Sequence, residues 1–118
     1  MSFEANADIT GVFTAADANI ERFRFVQNTG YTVTHATAAA AVLGVCLLDN
    51  PQSGQAVPVQ IRGIAMVEVG ASALVANSDV EVGANGLAVV KSAGVSVAKA
   101  LVAGATGAIV PVLLKTGY

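Results

Sequence analysis

The chain has 118 residues and a mass of 11.8 kDa, enough for one domain around a closed core. Apolar residues make up 54% of it, with Ala (23) and Val (19) supplying 42 of the 64, while only 12% of positions are charged and the net charge is −2. That balance excludes a disordered chain and a nucleic-acid binder, which needs cations to neutralise phosphates; the neutral surface it leaves suits burial in an assembly.

In chain order, MSFEANADITG carries acidic residues where a secretory signal needs a basic stretch and an apolar core, so synthesis in a cytoplasm is expected. Residues 1–20 mix Glu4, Asp8 and Asp17 with Phe3, Ile9, Val12 and Phe13 and show no sustained period. Five of the six aromatics lie in the first 31 residues, so this segment reads either as a docking arm or as an edge strand packed on its own domain. The expected division is an N-terminal arm, 1–20, and a single β domain, 21–118.

From Glu21 the pattern is β. In RFRFVQ, Arg22 and Arg24 alternate with Phe23 and Phe25, the period of a half-buried strand. Asn28, Thr29 and Gly30 break the run before YTVTH, where Tyr31, Val33 and His35 share one face; Gly30 can supply the positive φ of a hairpin. Ala38–Ala41 can start a short helix, and Val42–Leu48 reads as a buried strand. The 13 residues from Ala36 to Leu48 fall short of the roughly 20 that a membrane-spanning helix needs. Asp49–Gly54 is a turn cluster. Further strands are expected at Val57–Ile61, Ile64–Val69, 74–76, 80–82, 87–90, Val95–Val102 and Ala108–Leu114, with a hairpin across Gly83–Gly86. Short strands at regular spacing indicate an all-β barrel or sandwich with little helix.

GQAVPVQI (Gly54–Ile61) and GAIVPVLL (Gly107–Leu114) align without gaps at an offset of 53. Pro58 and Pro111 cannot donate ladder hydrogen bonds, so each is expected at an edge, a bulge or a strand start. Two such β-loop-β units are expected to face each other across one pseudo-symmetric barrel.

Catalytic combinations are scarce. His35 is the only histidine, so one chain cannot build a metal site with two imidazoles. A Cys46–His35 dyad is conceivable; the alternatives are a buried structural thiol and a strand histidine with a backbone partner. Asp79 and Glu81 share a strand face beside Asn77 and Asn85, which suits a weak cation or, better, a solvated face. Arg62 and Glu68 flank Gly63 and can pair across a hairpin. No P-loop spacing occurs, and the GATG run (Gly104–Gly107) precedes a strand, unlike a dinucleotide turn. Lys91 at a strand end suits a carrier lysine less well than a solvated one. No catalytic residue, cofactor or metal is expected.

The run Val42–Ser72 (VLGVCLLDNPQSGQAVPVQIRGIAMVEVGAS), followed by LVANSDVEVGANGLAVV and VAKALVAGATGAIVPVLL, resembles small tailed-phage capsid decoration proteins, or cement proteins, over about residues 30–114. The resemblance implies a β-rich protomer, commonly a homotrimer, bound to the major capsid protein on the outer face of the head and stabilising it against packed DNA, with neither nucleic acid nor membrane as partner. In that setting Phe3, Ile9, Val12 and Phe13 would be the capsid-docking residues of the arm. The alternatives are another β-rich phage assembly subunit, from a tail or the virion surface, and a small β-barrel carrier.

Overall fold

The computed structural model describes residues 9–16, 20–49 and 52–115. Five strands form a closed barrel: β1 (Ile9–Ala15), β2 (Phe25–Thr29), β3 (Thr32–His35), β4 (Gly44–Cys46) and β5 (Ala56–Arg62), in the order β1-β3-β2-β4-β5. Five more form a second sheet: β6 (Ile64–Glu68), β7 (Asp79–Val82), β8 (Ala88–Val90), β9 (Ala98–Ala100) and β10 (Ile109–Leu114), in the order β6-β10-β9-β7-β8. The fold is all-β. A parallel bridge from Val69 to Ala88 draws the two margins of the second sheet together. Of the segment that reads as arm or edge strand, Ile9–Ala15 are β1, paired antiparallel with β5 and parallel with β3. Residues 1–8, and Phe3 with them, lie outside the described residues.

The β2–β3 hairpin turns on Gly30 (φ 62) and Tyr31, because Thr29 already pairs with Thr32. The break is therefore two residues long, placing Tyr31 in the turn, exposed, while Val33 is buried. RFRFVQ is not one continuous strand. Phe23 adopts a left-handed conformation (φ 68), and Phe23 and Arg24 together oppose Cys46: Phe23 N–H donates to Cys46 O and Cys46 N–H donates to Arg24 O. Two residues opposite one make a bulge, which inverts the expected facing. Arg24 is buried and Phe23 only half-buried, with the Arg22 guanidinium 4.5 Å from its ring centroid.

No helix forms at Ala38–Ala41; a turn closes there instead, Ala40 N–H donating to Thr37 O around Ala39 at φ 64. The expected strands at 42–48 and 95–102 shrink to the three residues of β4 and of β9, and 74–76 carries only the Leu74–Gly104 bridge. The Gly83–Gly86 hairpin is present, linking β7 to β8 through a 3-10 turn at Ala84–Gly86.

Pro58 and Pro111 sit inside β5 and β10. Their carbonyls accept from Leu47 N and Leu101 N, each the residue just past the end of a three-residue strand, β4 or β9. Each missing N–H thus faces a place where the neighbouring ladder has stopped. The two units do not face each other across one barrel: β4–β5 belongs to the barrel and β9–β10 to the second sheet.

The echo is in fact threefold. Turns at 52–55, 75–78 and 105–108 each close from the fourth residue's N–H to the first residue's carbonyl. Each has a positive-φ residue third, Gly54 (83), Asn77 (68) or Gly107 (88), whose N–H donates to another segment, at Ala15 O, Ala100 O or Val69 O. β5, β7 and β10 follow directly.

The strands β2 and β4 serve two cores. Val26 and Cys46 pack inside the barrel with Ala15, Ile20, Val33, Val57 and Val59. Their neighbours Phe25 and Val45 point the other way, among Val67, Val69, Val80, Val82, Ala98 and Val112. Period-two alternation on these strands therefore buries both faces.

Candidate interaction surface

Each residue with possible chemistry has a structural partner. His35 Nε2 accepts the Glu21 N–H at 2.9 Å. Cys46 lies in the barrel core, where burial pushes its thiol above the ordinary value, and Sγ donates to Leu48 O at 3.0 Å. Asp79 pairs with Lys115 Nζ at 3.0 Å, which holds its carboxyl below the usual range. Glu81 accepts N–H bonds from Ser92 at 2.6 Å and Gly94 at 2.9 Å, which lower its pKa in turn. Asn77 and Asn85 are both left-handed turn residues. Among the described residues no three His, Cys, Asp or Glu groups cluster to hold a metal ion, and no helix is long and apolar enough to cross a membrane. Lys91 is exposed just beyond β8.

Glu68 does not pair with Arg62. Gly63 (φ 95) passes the chain from the barrel into the second sheet, so β5 and β6 form no ladder with each other. The partner of Glu68 is Arg24, with Nε 3.6 Å from Oε1. The same guanidinium donates to Glu21 Oε2 at 3.0 Å and to Asn85 O at 3.1 Å, tying the barrel to the second sheet.

The four arm residues do not share one face. Ile9 pairs in the backbone with Arg62, and Val12, opposite Pro58, is 68% exposed. Phe13 turns inward against the barrel core. Val12 thus offers a large apolar side chain outward from β1.

A coherent apolar strip lies elsewhere, on the outer face of β6 and β10. Ile64 is opposite Leu113, Met66 opposite Pro111, and Glu68 opposite Ile109. Ile64, Met66, Ile109 and Leu113 are 42–54% exposed, and Leu101, whose N–H bonds Pro111 O, extends the strip toward β9. Lys99 flanks Leu113 at one end and Glu68 closes the other. Sequence periodicity missed this strip because IAMVEV and AIVPVLL are apolar at both parities, so alternation alone could not reveal an exposed apolar face. Chemically the strip can pack against another apolar protein surface, and no convergent polar groups suit it to a small ligand.

No protein-family model matches the chain, and no curated protein matches it in sequence. Among solved structures the chain is similar to the head fiber gp8.5 N base of bacteriophage phi29. The TM-score is 0.71 and the identity 17%, covering 93% of this chain and 96% of that chain. At that identity the likeness is one of fold.

Proposed function

We propose that this chain is a structural protein of a phage head. The observation that carries the reading is the fold shared, over nearly the full length of both chains, with a phage head fiber base. The low charge and Ala/Val-rich composition support it independently. In its finer form the proposal is a cement protein that sits on the outer face of the capsid, contacts the major capsid protein and copies of itself as a homotrimer, and has no catalytic role. Binding the assembled lattice better than its pieces stabilises each site by RT ln(1 + [L]/Kd), about 2.7 kcal/mol at a hundredfold excess over Kd. Many such sites would oppose the pressure of packed DNA.

A second reading, the base of a fibre projecting from the head, is favoured by the nature of the structural neighbour, itself a head fiber base. Quantifying the chain against the major capsid protein in gradient-purified particles separates the two. A ratio near one copy per capsid subunit, on tailless heads as well, supports cement. Fewer copies, seen as projections by electron microscopy, support the fibre base, and absence from particles removes both.

Because Phe13 and Ala15 serve the barrel, the capsid-docking residues left to the N-terminus are Phe3, Ile9 and Val12. Deleting residues 2–8 is expected to lower occupancy on heads while β1 stays paired. A deletion through residue 14 would instead remove a barrel strand.

A further inference from the structure

We infer that copies of this chain bind one another through the β6/β10 strip, with Lys99 of one copy set against Glu68 of the next. The middle of the strip is apolar. Met66 and Pro111 face each other there, with Ile64 and Leu113 in the row on one side and Ile109 in the row on the other. Leu101, whose N–H bonds Pro111 O, widens it toward β9. Between Lys99 and Lys115 no residue is charged. An apolar centre with charge only at its margin is the anatomy of a protein–protein contact.

The charges name the partner. Glu68 lies on β6 opposite Ile109, and Lys99 lies on β9 opposite Leu113, further along β10. The two are therefore diagonal corners of one face, opposite in sign, with Pro111 between them. Rotation about an axis that runs along the face, across that diagonal, brings the Lys99 corner of one copy onto the Glu68 corner of the next and the apolar centres together. The face is thus complementary to itself, as a closed cyclic assembly requires. Both groups are available for the contact. Asp79, the carboxylate beside Lys99, is held by Lys115 at 3.0 Å. Arg24 Nε stands 3.6 Å from Glu68 Oε1, which leaves the carboxylate lone pairs for a second donor. At the rim these pairs set orientation, and burial of the apolar centre supplies affinity. The number of copies rests on the homotrimer of the proposed function, whereas the contact itself needs no phage head.

The test uses the purified full-length protein, free of capsid, in sedimentation equilibrium. The native chain should sediment as an oligomer of its 11.8 kDa protomer. Met66→Asp, which puts a charge in the apolar centre, should weaken association about tenfold or more. Circular dichroism should show the β fold retained, since Met66 is an exposed position. A second measurement fixes the orientation and does not depend on that variant folding. When Glu68→Cys and Lys99→Cys chains are mixed and mildly oxidised, disulfides mapped by peptide mass should join position 68 of one chain to position 99 of another. Cys46 is buried and takes no part. A monomeric native chain, an association that folded Met66→Asp leaves unchanged, or no disulfide between positions 68 and 99 would each overturn the inference. An oligomer that Met66→Asp dissociates, yet that is absent from purified particles, would instead overturn the head-protein reading alone.

Discussion

Arg24 is the side chain on which the two sheets meet. Its guanidinium is buried, while both carboxylates it holds, Glu21 and Glu68, are partly exposed. Removing it would strand the Asn85 carbonyl and separate both acids from their counter-ion, but water can reach those acids. The expected cost of Arg24→Ala is therefore nearer 1–3 kcal/mol than the 3–5 kcal/mol of a fully buried pair. Urea denaturation checks the value. Arg24→Lys should recover only a fraction of it, since one ammonium cannot reproduce the planar fork that reaches Glu21, Glu68 and Asn85. Glu81 adds a pH dependence. Its carboxylate accepts from Ser92 and Gly94, so its folded pKa lies below the unfolded one. The stabilisation is complete above the ordinary carboxylate range and is lost as the pH falls through the lowered pKa. Melting temperatures followed from about pH 7 to about pH 3 should fall less steeply in Glu81→Gln than in the native protein, and identical slopes would assign the effect to other groups.

At the scale of elements, glycine acts through two different constraints. Gly107 has φ 88, and a Cβ added there would meet nothing within 4 Å, so Gly107→Ala should cost only backbone strain, about 1–2 kcal/mol. Asn77 holds the equivalent place in the turn before β7, and Asn77→Gly should change stability by less than about 0.5 kcal/mol. Gly44 has no such φ, but its Cβ would fall 2.2 Å from Gln60 O, where β4 lies against β5. Gly44→Ala should prevent that closure, seen as loss of cooperative thermal unfolding. These positions also mark how far the sequence could be read. The repeat built on Gly54 and Gly107 was visible because both copies spell Gly and Val-Pro-Val. The third copy was hidden because Asn, which also tolerates the left-handed region, stands at 77. The bulge at Phe23 was illegible because nothing in RFRFVQ marks a left-handed phenylalanine; its cause is tertiary, the bonds between Phe23, Arg24 and Cys46.

At the scale of the molecule, strand periodicity established all-β architecture, and the closed barrel is present. The division into two sheets was not legible, because alternation says that a strand has two faces but not that each face has its own core. Phe25 and Val45 belong to one core and Val26 and Cys46 to the other, so neither sheet can lose its packing without disturbing β2 and β4. Two sheets joined only by the Gly63 crossing would melt separately; two sheets whose cores share the residues of β2 and β4 should melt as one. Phe25→Ala tests this directly. It empties a fully buried site in the second core, at an expected cost of about 3–5 kcal/mol out of the 5–15 kcal/mol typical of a domain. Methyl resonances of Val33, in the barrel core, and Val80, in the second, should lose intensity at one common urea concentration in the native protein. In Phe25→Ala both should move together to a lower one. Should Val80 melt early while Val33 keeps its native midpoint, the sheets are independent, and the shared strands carry no coupling between them.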